Sequence, residues 1–359
     1  MKQLYVFGTR GFPHVQGGVE KHCENIYPNL IHAYDVHVFR RIPYIQKNSP
    51  KTYMGVHFID LPSTKIKGFE AFSHSLLCTI YCIIKRPDIV HVHNIGPGMF
   101  IPLLRLAGIK VVLTYHSPNY EHKKWNAMAK AILKQSEKIA TRWASAIVFV
   151  SRLRMKQFQQ SIIQKSHYIP NGVSIKNPSS KTTFLQGLGL LPQQYILALG
   201  RITQEKGFDY LIEAYAKILP SNFKLVIAGG IDHESSFSRN IKEQAKLYGV
   251  VMPGYVDGEN LNQLYSHAKL FVLPSYNEEF PLVMLEALSY NLPIVASDIP
   301  ANLQIGLHSD DYFKTGDSND LALHLTQKLV SARCSSNFPI DLYTWKSVSE
   351  QLNTVYNQL

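Results

Sequence analysis

The sequence of 359 residues predicts an α/β protein of two domains, each built around a parallel sheet. Three observations predict it. The length exceeds the size at which a single core usually stops growing, so the chain divides naturally in two. Short apolar runs rich in Val, Ile, Leu and Tyr alternate with longer stretches of helical period, the pattern of repeated strand-helix units. That alternation halts once, at the polar KNPSSKTT that follows IPNGV, and then restarts.

In chain order the expected strands of the first domain are QLYVFG, DVHVF, DIVHVH, KVVLTYH, AIVFVS and HYIP. Those of the second are YILALG, KLVIAGG, VVMPGYV, LFVLPS and PIVAS. The linker is expected between about residues 171 and 190. The C-terminal YTWKSVSEQLNTVYNQL reads as one amphipathic helix with Trp345, Val348, Leu352 and Tyr356 on one face, able to cap either domain. In open parallel sheets ligands sit beyond the carboxyl ends of the strands, so the loops there are where chemistry is expected.

Composition narrows the class. With 45% apolar and 18% charged residues and no biased tract, the chain is neither disordered nor fibrous. Four cysteines show no metal-ligand spacing, and reduced thiols are expected, with Cys78 and Cys82 one turn apart on an apolar helix. MKQLYVFGTRG runs straight into a strand without the features of a signal peptide. The longest apolar run, LLCTIYCII, is about half a membrane span, which predicts a protein that does not cross a membrane but is able to lie on one. Residues 1–170 hold 23 Lys and Arg against 8 Asp and Glu, a charge of +15, whereas the remainder holds 14 against 18, or −4. So basic a first half suits an anionic partner such as a membrane surface, a phosphorylated acceptor or nucleic acid; a merely basic surface is the alternative.

Four loops carry candidate chemistry. GTRGFPHVQGGVEKH follows the first strand, and Gly17-Gly18 opens a helix whose free amides favour an anion; an ordinary turn before a helix is the other reading. His116 ends KVVLTYH, where an imidazole reaches a ligand or simply bonds within a turn. The helix beyond it places Lys130, Lys134, Lys138 and Arg142 at four-residue steps opposite Trp125, Met128, Ile132, Leu133, Ile139 and Trp143, either a lipid-facing basic helix or a solvated one. In ALGRITQEKGFDYL, Arg201 and Lys206 are spaced so that both cations reach one diphosphate before Gly207 starts a helix, or else line an exposed loop. In PSYNEEFPLVMLEAL, Glu278 and Glu279 lie at a helix mouth, Pro281 suits the first turn, and Glu286 lies one to two turns inside. Helix-dipole compensation and a solvated helix face are the alternatives for these carboxylates.

Taken together and in order, GGVE, TYH, IPNGV, GRITQEKG, LVIAGG, GYV, EEFPLVMLEAL and PIVASDI resemble the retaining glycosyltransferases of family 4 over nearly the whole chain. GTRGFP and NYEHKKW look closest to bacterial members that build surface polysaccharides, including rhamnosyltransferase-like ones. The resemblance implies the α/β GT-B fold, two facing Rossmann-like domains with a deep cleft. It also implies an acceptor-side domain of residues 1–170 plus 341–359 and a nucleotide-sugar domain of 171–340.

The residue roles it implies are specific. Gly17 and Gly18 border the diphosphate and sugar, His116 faces the transferred sugar, and Arg201 and Lys206 hold the diphosphate. Glu278 contacts sugar hydroxyls, the amides around Phe280 and Leu282 approach the ligand, and Glu286 binds the ribose. No Asp-x-Asp motif occurs, and charge on the departing diphosphate would be met by Arg201, Lys206 and helix amides without a metal or other cofactor. The expected donor is a UDP-, GDP- or dTDP-linked sugar and the expected acceptor a lipid-linked glycan. The expected location is cytoplasmic, peripheral on the anionic inner-membrane surface, with no nucleic acid partner. A nucleotide-sugar epimerase of similar shape and a non-catalytic nucleotide- or lipid-binding adaptor are the alternatives. Glu279 stands where Gly is usual in the motif and Asn291 where Gly is common before PIVAS, which leaves the sugar open.

Overall fold

The computed structural model describes residues 1–15, 17–46, 49–64, 69–121, 126–219, 222–231, 234–330 and 338–359. Trp125 and Cys334 lie outside them. The chain divides into two compact units, one of Met1–Gly172 with Trp345–Leu359, the other of Val173–Thr344.

The first unit holds an eight-stranded sheet of β1 (Lys2–Phe7), β2 (Tyr34–Arg41), β3 (Thr52–Tyr53), β4 (Val56–Leu61), β5 (Ile89–His93), β6 (Lys110–Tyr115), β7 (Ala146–Phe149) and β8 (Ser166–Tyr168). Their order is β3-β4-β2-β1-β5-β6-β7-β8, and every pairing is parallel except the β3-β4 hairpin. The interior strands are mostly buried, from end to end in the wholly apolar Ala146–Phe149, because helices cover both faces of a parallel sheet and leave no solvated side. One face is covered by α2 (Phe69–Lys85), α3 (Ile101–Leu106) and α4 (Ala127–Trp143), whose Cys78, Cys82, Ile101, Leu104, Ala140 and Ala144 join Tyr5, Phe7, Val90, Val92, Val111 and Leu113 in one core. The helix α1 (Gly18–Ile26) packs with the C-terminal helix Trp345–Asn357, which buries Trp345, Val348, Ser349, Leu352, Val355 and Tyr356.

The second unit holds six parallel strands, β9 (Tyr195–Leu199), β10 (Lys224–Ala228), β11 (Val251–Gly254), β12 (Leu270–Leu273), β13 (Ile294–Ser297) and β14 (Tyr312–Phe313), ordered β11-β10-β9-β12-β13-β14. Side chains alternate along β9: Tyr195 and Leu197 enter one core with Leu264, Met284 and Leu285, while Ile196 and Ala198 enter another with Phe208, Leu211 and Leu321.

All eleven strands expected from the sequence are present. The hairpin β3-β4 and the edge strand β14 were not among them, because VHFIDL is half-exposed and β14 is two residues long. Two details are corrected. Pro281 is the N-cap residue of the helix Leu282–Ser289 and lies just outside its first turn. On α4 the buried positions are Ser136, Ala140 and Thr141, whereas Met128, Ile132 and Trp143, expected as the apolar side opposite the lysines, are exposed.

Candidate functional site

In each sheet the first strand of the unit lies centrally, and chain order runs away from it on both sides: β1 sits between β2 and β5, β9 between β10 and β12. Such a reversal opens a crevice at the carboxyl ends of the central strands. The candidate loops fall at strand ends of this kind, with Gly17 and Gly18 after β1, His116 after β6, Arg201 and Lys206 after β9, and Glu278 to Glu286 after β12.

In the first unit the glycine loop is braced from below. Glu20, buried on α1, accepts hydrogen bonds from the Arg10 amide (3.0 Å) and the Thr9 hydroxyl (3.3 Å). Gly17 lies directly over that carboxylate, and a Cβ there would come within 2.0 Å of Glu20 Oε2, whereas Gly18 has open space. The glutamate of GGVE therefore shapes the loop, and Gly17 is the residue that lets it do so.

His116 is not a lone imidazole. Its Nε2 lies 2.9 Å from His93 Nδ1, and His93 Nε2 lies 2.6 Å from the Tyr27 hydroxyl. Tyr27 is hydrogen-bonded to Tyr356, Tyr356 to His91 Nδ1, and His91 Nε2 to the Thr114 hydroxyl at 2.6 Å. His91, His93 and His116 are stacked, and His22 meets His116 edge-on with ring centroids 4.8 Å apart. His22 Nδ1 is held by Asn171 at 2.9 Å, and a Cβ on Gly172 would strike the Trp345 ring. The NG of IPNGV thus orients one histidine and makes room for the C-terminal helix.

Burial holds every imidazole of this group neutral. It pushes His22 down to about 4, against a small opposing effect of the Asn171 bond, and His91 down to about 3 with help from His22. His93 and His116 fall well below the ordinary value, through burial first and neighbouring imidazoles second. Ring nitrogens of His22, His93 and His116 all lie within 4.8 Å of one another, a donor set with the chemistry to bind Zn²⁺. In the arrangement present, His93 and His116 are joined by their own hydrogen bond within the ring stack. Neutral His116 is a hydrogen-bonding group rather than a charge.

In the second unit, the loops after β9 and β12 are tied together. The Tyr276 amide donates to the Glu205 carbonyl at 2.8 Å, the Tyr210 hydroxyl donates to the Pro274 carbonyl, and Gly207, at φ 66°, packs so close to that carbonyl that a Cβ would lie 2.1 Å from it. Across this joint Lys206 Nζ meets Glu278 Oε1 at 2.5 Å, and the Ser275 hydroxyl donates to the same oxygen at 2.8 Å. Lys206 and Glu278 are therefore one unit, each mostly buried. Arg201 is exposed at the end of β9. Phe280 is a core residue stacked on Tyr343, so its backbone alone is available to a ligand. Leu282 begins the helix, and half-buried Glu286 accepts from the Tyr265 hydroxyl at 2.9 Å.

Nothing local in the sequence marks His22, Tyr27, Ser275 or Tyr265 as supporting residues. The alternation of DIVHVH places His91 and His93 on one side of a strand, and helical spacing places Tyr356 on the apolar face of the C-terminal helix without showing what it bonds.

Residues 16–177 match the family described as Glycosyltransferase Family 4, and residues 181–330 match Glycosyl transferases group 1, so that the two matches together take in most of the chain. The chain belongs to glycosyltransferase family 4. An uncharacterized glycosyltransferase of Methanocaldococcus jannaschii is 37% identical over 36% of this chain and 33% of its own length. The Bacillus subtilis protein YtcC, provisionally named a glycosyltransferase, is 24% identical over 97% of this family 4 chain and 89% of its own. O-antigen chain mannosyltransferase B of Escherichia coli is 30% identical over 46% and 43%. Thus this chain spans about a third of the archaeal relative and most of YtcC. Among solved structures, a sucrose-phosphate synthase from Thermosynechococcus elongatus superposes with a TM-score of 0.82 at 22% identity, covering 100% of this chain and 99% of its own. Anabaena HepE in complex with UDP-glucose gives 0.78 at 17% identity, with both chains covered completely. These likenesses carry the fold, and the family 4 chain has the GT-B fold of two Rossmann-like units.

Proposed function

We propose that this chain is a retaining, metal-independent hexosyltransferase that moves a sugar from a nucleotide-sugar to a lipid-linked or polysaccharide acceptor in bacterial surface-glycan synthesis. The observation that carries it is the Lys206-Glu278-Ser275 cluster at the switch point of the second sheet. A cation and a carboxylate held in contact present one charge suited to a departing diphosphate and one suited to sugar hydroxyls. Arg201 adds a second cation, the first amides of the helix Leu282–Ser289 add donors, and Glu286, eight residues beyond Glu278, takes the ribose. Neutral His116 accepts from or donates to a hydroxyl of the transferred sugar. The UDP-glucose bound to Anabaena HepE supports a nucleotide-sugar donor, and the name of the Escherichia coli relative supports a surface-glycan acceptor. The proposed location is the cytoplasmic face of the inner membrane, with Lys130, Lys134, Lys138 and Arg142 toward its anionic headgroups.

The test is turnover of a panel of UDP-, GDP- and dTDP-sugars with a soluble acceptor analogue, beside thermal-shift screening against the nucleoside diphosphates. One base should stabilise the protein, its sugar should be transferred, and Glu278→Ala should abolish transfer while the protein remains folded. Nucleotide binding without transfer or hydrolysis of any donor would favour a non-catalytic adaptor.

A further inference from the structure

The helix α2 is built inside out. Its inward positions are His74, Ser75, Cys78, Thr79 and Cys82, all buried, and its outward positions are Phe69, Phe72, Leu77, Ile80 and Ile84. Ile84 is 73% exposed, Phe69 50% and Ile80 47%. An ordinary surface helix has the opposite arrangement, with its apolar stripe toward the core. The face continues across the neighbouring helices, because α3 packs against both α2 and α4. There Leu106 is 74% exposed, Met128 is 71% exposed, and Leu103, Ile132 and Trp143 also face outward. Exposed apolar surface on this scale is unusual and marks a docking site.

Charge identifies the occupant. The three helices carry Lys85, Arg105, Lys130, Lys134, Lys138 and Arg142. Their only carboxylates, Glu70 and Glu137, are engaged by Tyr44 and Arg41 and by Tyr115 and Tyr120. Against a second copy of the chain, a two-fold contact would press these cations on their own equivalents. An anionic lipid surface complements both parts at once, with apolar side chains entering the acyl boundary and cations among the headgroups. No described helix is long and apolar enough to cross a membrane, which suits a helix that lies in the interface.

We infer that α2 is a shallow membrane-insertion helix: its Phe69-Phe72-Ile80-Ile84 face, continued by α3 and α4, enters an anionic lipid surface, and the basic residues of α4 flank the insertion. This deepens the membrane reading above and rests on it for its purpose, but it is measured without any substrate. A failure of insertion is therefore distinguishable from a failure of sugar transfer to a soluble acceptor.

The experiment is sedimentation of the full chain with vesicles of phosphatidylcholine containing phosphatidylglycerol, and with phosphatidylcholine alone, at rising salt. The expected result is binding to the anionic vesicles that weakens with salt yet leaves a salt-resistant part, and an affinity loss of roughly 10-fold or more in Ile80→Ser/Ile84→Ser. Both positions are outward, so the melting temperature of the variant should stay near that of the parent, and its transfer to a soluble acceptor should be retained. Three outcomes would overturn the inference. One is no binding to anionic vesicles. Another is binding that salt removes entirely and the double substitution leaves unchanged, which is surface adsorption through the cations alone. The third is a dimer of the lipid-free parent that the double substitution dissociates, which assigns the face to a second copy.

Discussion

His116 Nε2 and His93 Nδ1 share one proton across 2.9 Å, and through Tyr27, Tyr356 and His91 that bond is linked to the Thr114 hydroxyl. A neutral imidazole has one N–H and one lone pair, so each member that donates on one side accepts on the other. The tautomer of His116 is thereby coupled to a residue of the C-terminal helix. Tyr356→Phe interrupts the chain without removing any group from His116. We expect kcat to fall roughly 2- to 10-fold, the scale of one neutral hydrogen bond, with the donor KM unchanged. Imidazole nitrogen chemical shifts should show His116 passing from one tautomer to a mixture; a single unchanged tautomer would break the argument.

The same histidines make stability depend on pH. His22 and His91 titrate at about 4 and about 3 in the folded protein, against 6.5 unfolded. Between these values the unfolded chain binds protons that the folded chain does not, so stability rises with pH. The contribution is complete above 6.5 and is lost as pH falls toward the folded values, on the order of 3–5 kcal/mol for each histidine. Urea midpoints should therefore drop steeply from about pH 7 to about pH 4, with a shallower drop in His91→Gln.

Gly17 and Gly18 are adjacent but not equivalent. A methyl at Gly17 meets Glu20 Oε2 at 2.0 Å, whereas one at Gly18 meets nothing within 4 Å. Gly17→Ala should cost about 1–3 kcal/mol and loosen the Thr9-Arg10 loop, and Gly18→Ala less than about 0.5 kcal/mol. Chemical denaturation of the two variants decides it, and equal losses would refute the brace.

Lys206 is held by Glu278, so removing it acts on both. Lys206→Ala should weaken nucleoside diphosphate binding by roughly 10- to 100-fold, the loss expected of a charge-assisted contact. Because the pair is mostly buried, the substitution also leaves the Glu278 carboxylate without its cation, and folding stability should fall by about 1–3 kcal/mol. Calorimetric titration with the preferred nucleotide separates these two effects.

Asn291 adopts φ 55° at the end of the helix Leu282–Ser289, where its amide donates to the Leu288 carbonyl. Glycine meets no Cβ penalty in that left-handed position. Asn291→Gly should raise stability by a few tenths to about 1 kcal/mol, whereas Asn291→Ala should lower it by about 1 kcal/mol, both read from melting curves.

The two parallel sheets are legible in local pattern, because runs such as VVLTY and LVIA are buried on both faces and are almost wholly apolar. The loops at strand ends are legible too, since local glycines and prolines mark where each strand stops. How the candidate residues are held follows from the folded arrangement, not from local pattern. Lys206 and Glu278 are 72 positions apart and His91 and Tyr356 are 265 apart, and no local pattern encodes such pairings. The folded arrangement likewise decided which side of α2 and of α4 is buried. A helix apolar on every side has no periodicity to orient it, and α2 turns its small Ser, Cys and Thr residues to the sheet because they allow closer packing than the Phe and Ile it leaves outside.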